Sequence, residues 1–353
     1  MAEKILMKGN EALGEAAVIA GCRHYFGYPI TPQSELIEYM AKRLPQVGGV
    51  FLQGESEVAS INMVYGAAGA GARVMTSSSS PGFSLKQEGV SYIAGAELPC
   101  VLVNVQRGGP GLGSIQPGQA DYFQATKGGG HGDYHNIVLA PNSVQETVDT
   151  TILAFDLADQ YRNPVVILTD GAIGQMMEPV EMREPVASNV EKPWATTGLK
   201  GRTETNVVNS LFLQPDVCEK HNQHLQAKYA LITKNEVRYE AIHLEDAELV
   251  LVAYGITSRI ALSAMEKARK EGLKVGLLRP ITLWPFPYQP LEEAAAKANA
   301  FLTIEMSAGQ MVEDVRLAVG KDKPVHFYGR TGGMIPGTEE IYNQIVTIAK
   351  GGK

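Results

Sequence analysis

Cysteine is scarce in this chain. Of 353 residues only Cys22, Cys100 and Cys218 carry a thiol, far apart and without a Cys-x-x-Cys pair. That excludes an iron–sulfur cluster bound by four cysteines of this chain alone, and it argues against a disulfide framework. Three isolated thiols fit a reducing cytoplasm. Long apolar runs are also missing: none approaches the ~20 residues that cross a bilayer. The start, Met1-Ala2-Glu3-Lys4, lacks the apolar stretch of a signal peptide, so a cytoplasmic location away from membranes is expected. Positive charge is not in excess. The net charge of −7 argues against a general affinity for nucleic-acid phosphates.

Several familiar motifs are absent too. The run Ser77-Ser78-Ser79-Ser80-Pro81-Gly82 is not followed by Gly-Lys-Ser/Thr, so it is no Walker A loop. Gly109-x-Gly111-x-Gly113 departs from the dinucleotide spacing, and Asp133 lies in a glycine-rich loop rather than at a strand end. His131-Gly132-Asp133-Tyr134-His135 offers two imidazoles with no evident third ligand. No metal site is expected there; a loop near the cleft is the better expectation.

What is present is an ordinary globular composition, 44% hydrophobic and 20% charged, with 37 glycines that cluster between Gly66 and Gly132. Apolar runs alternate with helical patterns. Strands are expected at 24–28, 50–53, 73–76, 100–105, 137–140 and 165–169, and helices at 10–21, 33–43, 57–71, 84–96 and 143–161. A polar, proline-punctuated stretch follows, partly helical over 217–243. The alternation then resumes, with strands at 249–254, 274–278, 301–305 and 325–328 and helices at 258–271, 291–300, 311–319 and 338–349. The fold class is therefore α/β, with two doubly wound domains: 1–180, a connecting segment at 181–245, and 246–353.

Candidate chemistry sits where strands end. Tyr28-Pro29-Ile30-Thr31-Pro32 holds the Thr31 hydroxyl on a turn fixed by two prolines; capping the next helix is its simpler role. Glu57 opens a helix carrying Ala59, Ala67, Ala68 and Ala70, small enough for close packing. A carboxylate buried there can exchange a proton with a ring nitrogen; otherwise it only complements the helix dipole. The hydroxyls and amides of Ser79, Pro81 and Gly82 suit an anion or a polar ring. Arg107, after an apolar strand and before Gly108, Gly109, Gly111 and Gly113, can pair with a substrate carboxylate. Asp170-Gly171 reads as a strand-ending turn.

Taken together, Tyr28 to Pro32, the Glu57 helix, Thr76 to Phe83 and Val105-Gln106-Arg107 resemble the alpha subunit of 2-oxoacid:ferredoxin oxidoreductases. Leu277-Leu278-Arg279-Pro280, Leu283-Trp284-Pro285-Phe286-Pro287 and Ile304-Glu305-Met306-Ser307-Ala308-Gly309-Gln310 extend the resemblance over essentially the whole chain. The run from Gly108 to Tyr134 looks most like the subunits acting on branched-chain 2-oxoacids such as 3-methyl-2-oxobutanoate (2-ketoisovalerate).

The resemblance implies a thiamine diphosphate enzyme that oxidatively decarboxylates a 2-oxoacid to an acyl-coenzyme A, passing electrons to ferredoxin. Residues 1–180 would be the pyrimidine-binding domain and 246–353 a transketolase C-terminal-like domain. Glu57 matches the carboxylate that bonds the pyrimidine nitrogen and so activates the thiazolium carbon. Thr31 and Arg107 match contacts to the substrate's oxo and carboxylate groups. Ser79, Pro81 and Gly82 would line the cofactor. The family's Gly-Asp-Gly signature for diphosphate and Mg²⁺ is missing, as are cluster-binding cysteines. A beta subunit carrying diphosphate and Mg²⁺, and an iron–sulfur subunit, are therefore expected as partners. Two other readings stay open: the pyrimidine half of another thiamine-dependent transferase or synthase, and a noncatalytic regulatory subunit.

Overall fold

The computed structural model describes residues 4–184 and 190–351. The chain opens with β1 (Lys4–Lys8), α1 (Gly9–Ile19), β2 (His24–Gly27), α2 (Ser34–Gln46), β3 (Val50–Gln53), α3 (Glu57–Gly69) and β4 (Val74–Ser78). Two short helices, α4 (Ser80–Leu85) and α5 (Gln87–Gly95), precede β5 (Cys100–Gln106), α6 (Tyr122–Thr126), β6 (Ile137–Leu139), α7 (Val144–Tyr161), β7 (Pro164–Asp170), α8 (Gly171–Gln175) and β8 (Met177–Glu181). Then come α9 (Pro215–Asn235), β9 (Tyr239–Ile242), β10 (Leu249–Val252), α10 (Gly255–Lys270), β11 (Val275–Pro280), β12 (Thr282–Trp284), α11 (Tyr288–Ala295), β13 (Ala300–Glu305), α12 (Met311–Val319), β14 (Val325–Gly329) and α13 (Thr338–Ala349).

The first sheet runs β12-β6-β7-β5-β4-β2-β3, and the second β14-β13-β10-β11-β9. All pairings are parallel except β12 with β6 and β9 with β11. A separate antiparallel pair, β1 with β8, ties residues 4–8 to 177–181. Parallel strands covered by helices on both faces must be apolar throughout. In β5 and β7 every residue is buried, and the polar ones, Asn104, Gln106, Thr169 and Asp170, are confined to the carboxyl-terminal halves. Each Val or Leu so buried contributes about 1.5–3 kcal/mol, which anchors the strand ends that carry the site.

The expected alternation appears, with informative departures. The helix expected over 84–96 is two helices, broken at Lys86. The stretch read as a connection contains β9, which joins the second sheet. Strand β12, from the chain's second half, adds to the edge of the first sheet. Of the small residues expected to pack closely, Ala68 of α3 is fully buried in the core and Ala67 packs against it, whereas Ala59 is half-buried and Ala70, the C-cap, is exposed. The tight approach comes from Gly89 of α5, where a Cβ would lie 2.6 Å from an Ile61 methyl.

The two sheets meet along a polar seam. Gln119 is fully buried. Its amide donates to Met306 O at 2.8 Å. Its side chain donates to Tyr254 O at 2.9 Å and accepts from Met306 N at 3.0 Å. Arg279 of β11 grips Glu146 of α7 with both terminal nitrogens, at 2.8 and 2.9 Å. Asp314 of α12 accepts from Tyr122 and Tyr288, each at 2.6 Å.

Candidate active site at the strand ends of the first sheet

Glu57 is the first residue of α3. The Ser56 hydroxyl accepts from Ala59 N and so fixes the helix start. The Glu57 side chain is 95% removed from solvent, yet among the described residues nothing donates a hydrogen bond to its carboxylate. It faces the turn after β4. A Cβ on Gly82 would lie 2.3 Å from Glu57 Oε1 and 2.4 Å from Ser78 Oγ, so only glycine leaves that carboxylate open. The hydroxyls of Ser78 and Ser79 are buried without partners. Buried polar groups are rarely left so; two of them in the turn that faces one carboxylate suit a polar ring that both donates and accepts.

The turn continues to Arg107. Ser80 Oγ accepts from Arg107 N at 3.0 Å and pairs with Asp121 Oδ2 at 2.6 Å. Asn104 supports the same carboxylate at 2.9 Å. Burial pushes the Asp121 carboxyl up from its ordinary value, opposed by those two hydrogen bonds. The Arg107 guanidinium donates to Thr31 O at 2.9 Å and Leu112 O at 3.0 Å. Two of its five N–H donors are thus engaged on backbone, and the buried Nε has no partner. Thr31 itself is exposed after β2.

Thr31, Glu57, the Ser78–Gly82 turn and Arg107 therefore follow β2, β3, β4 and β5, four neighbouring strands of one parallel sheet. This is where open α/β sheets place ligands. Beside these residues a cavity of about 760 Å³ begins at Ser80 and Pro81, runs past Gly108 and Gly111, and reaches Met306 and Gln310 in the loop after β13; Thr31, Glu57, Ser79, Gly82 and Arg107 do not line it. That volume falls in the range of small-molecule sites.

The His131–His135 loop lies elsewhere. His135 stacks on Trp284 at 4.5 Å, and burial lowers its proton affinity. His131 and Asp133 line a different cavity with Phe212 and His221. No group of three metal-ligating side chains occurs among the described residues. Asp170 caps α8, accepting from Ala172 N and Ile173 N.

Residues 15–244 match the family model "pyruvate flavodoxin/ferredoxin oxidoreductase, thiamine diP-bdg". The chain belongs to this family of thiamine diphosphate-dependent 2-oxoacid:ferredoxin oxidoreductases. Residues 247–341 match the family's core domain II. Ketoisovalerate oxidoreductase subunit VorB of Methanothermobacter marburgensis is 55% identical, covering 98% of this chain and 97% of that protein. 2-Oxoglutarate synthase subunit KorA of Methanocaldococcus jannaschii is 37% identical over 96% of this chain and 98% of that one.

Among solved structures, the 2-oxoglutarate:ferredoxin oxidoreductase of Magnetococcus marinus, with 2-oxoglutarate, coenzyme A and succinyl-CoA bound, matches with a TM-score of 0.88 at 28% identity. The match covers 98% of this chain and 65% of that one. A split-gene transketolase matches with a TM-score of 0.61 at 16% identity and shares the fold alone. The protein is thus an oxidoreductase subunit acting on 2-oxoacids, and its α/β fold is the one expected.

The sequence pattern missed Asn104, Asp121 and Gln119. Asn104 sits inside an apolar strand, which was a usable signal; the other two occupy a loop with no periodicity.

Proposed function

We propose that this chain supplies the pyrimidine-binding half of the active site of a cytoplasmic ketoisovalerate-type oxidoreductase, with coenzyme A as acyl acceptor and ferredoxin as electron acceptor. The branched-chain assignment rests on the 55% identity to VorB against 37% to the KorA protein. The diphosphate, Mg²⁺ and the iron–sulfur clusters fall to partner subunits, because this chain has three scattered cysteines and no metal-ligating cluster among its described residues.

The observation that carries the reading is the open Glu57 carboxylate at Gly82, beside the unpartnered Ser78 hydroxyl. Thiamine diphosphate supplies a carbon nucleophile and an electron sink for decarboxylation. This chain's residues prepare it. Glu57 would hold the pyrimidine ring nitrogen through a hydrogen bond. Ser78 and Ser79 orient the ring, and Gly82 keeps the approach clear. Arg107 places positive charge at the end of β5 for the substrate carboxylate while fixing the Thr31 turn through its carbonyl. Thr31 offers its hydroxyl to the substrate's oxo oxygen. Ser80 and Asp121 hold the Arg107 backbone.

The test is co-purification of the chain with its neighbouring subunits, then a panel of 2-oxoacids with coenzyme A and a viologen dye. The assembled enzyme turns over 3-methyl-2-oxobutanoate fastest, and the isolated chain reduces no dye. Dye reduction by the isolated chain would overturn the shared-site reading. Preference for 2-oxoglutarate would overturn the substrate assignment.

A further inference from the structure

Lys86 is the residue at which the expected helix breaks, between α4 and α5, and its side chain is fully buried. Its ammonium donates to Thr76 Oγ1 at 2.7 Å. Thr76 and Ser78 alternate onto one face of β4, the face where Ser78 meets Glu57 at Gly82. The elements packed around Lys86 present neutral groups: Thr76 and Ser78 on β4, Asn104 on β5, and Gln87 on α5, which donates to Phe83 O. Glu88 on α5 is exposed and bonded to Tyr92. Glu57 on α3 is the one charged group that acts on Lys86 among the described residues.

A buried amine between helices is costly when charged, and an apolar side chain would pack there more cheaply. Burial lowers the Lys86 ammonium to about 7, and Glu57 opposes that fall. The pair is therefore electrostatically joined without direct contact, since the ammonium gives its hydrogen bond to Thr76.

We propose that Lys86 is a positioning residue for Glu57, a buried counter-charge on the Ser78 face of β4 that holds the Glu57 carboxylate turned toward Gly82 and Ser78. The proposal rests on the reading of Glu57 given above. Its consequence is directional. Removing the Glu57 charge leaves the Lys86 ammonium buried and uncompensated. Deprotonation of Lys86 removes that penalty.

The test is a double-mutant cycle in the full-length chain, with Lys86→Met, Glu57→Gln and the pair, read as melting temperatures at pH 6 and pH 9. At pH 6 the amine is charged, and the double variant should melt higher than the sum of the two single shifts predicts. At pH 9 the amine is neutral and the shifts should add. Lys86→Arg, charged at both values, should keep the coupling with Glu57 at pH 9. Additive shifts at pH 6, or an equal coupling at both pH values for the lysine chain, would overturn the proposal; a side chain that only fills space gives one of those two results. A coupling found alongside full turnover in Glu57→Gln would instead overturn the reading of Glu57 and leave the charge pair standing.

Discussion

Two buried glutamates divide the molecule by purpose. Glu57 and Glu305 both stand where a parallel strand gives way to a helix. Glu305, at the end of β13, is saturated. It accepts from the backbone amides of Gln310, Met311 and Val312 and from the Ser307 hydroxyl. Burial raises its proton affinity and those bonds oppose the rise. Glu57 is also buried, at 5% exposure, yet receives no hydrogen bond from a described residue, and its nearest turn carries the buried, unpartnered hydroxyls of Ser78 and Ser79. A satisfied buried carboxylate is a structural part. One without a protein donor, aimed at a glycine where no side chain fits, is prepared for something else.

The sharpest way to break this contrast is to neutralise each carboxylate. Glu57→Gln should lower turnover of the assembled enzyme by roughly 10²–10⁴, the span of a lost proton-transfer group, with the melting temperature nearly unchanged at pH 9, where Lys86 is neutral. Comparable turnover in the variant would erase the distinction. Gly82→Ala comes next. Its Cβ needs the space held by Glu57 Oε1 and Ser78 Oγ, so turnover should drop by about 10²-fold, as for a catalytic group displaced by an ångström. Thiamine diphosphate affinity, measured by calorimetry, should fall with it.

Glu305→Ala should do the reverse. Stripping three amides and a hydroxyl of their acceptor should cost about 3 kcal/mol of stability, seen in denaturant titration, while turnover of the folded fraction holds. The smallest effect concerns Asp170 at the seam, whose carboxyl is pushed up to about 6 by burial. Its folded value exceeds its unfolded one, so the folded state binds the extra proton. The stability this group contributes is complete below the ordinary aspartate value and is lost as pH rises through about 6. In Asp170→Asn, where capping survives, that slope should vanish from melting curves taken between pH 4 and pH 7.

How far the sequence reaches differs between the same two regions. Strands β5, β7, β10 and β13 were legible because burial on both faces demands unbroken apolar runs. Thr31, Glu57 and Arg107 were legible as strand-end residues, and their placement after neighbouring strands follows from the parallel order of the sheet. The seam was not. Strand β12 has three residues and owes its existence to β6, more than 140 positions earlier in the chain; no local pattern encodes that pairing. The motif stretches of the second half find their reason only in the fold. Arg279 reaches Glu146, Trp284 stacks on His135, and Gln310 bonds Ala120 and Phe123. Lys86 was hidden for a related cause, since a lysine inside a helical pattern reads as solvated until its burial is seen.

The central claim is that Glu57 activates a cofactor rather than capping a helix. The most direct measurement is the rate of deuterium exchange at the thiazolium C2 carbon of thiamine diphosphate bound to the assembled enzyme, followed by quenched-flow NMR in wild type and Glu57→Gln. The account predicts exchange slower by roughly 10²–10⁴ in the variant at saturating cofactor. Equal exchange rates in the two proteins would contradict it.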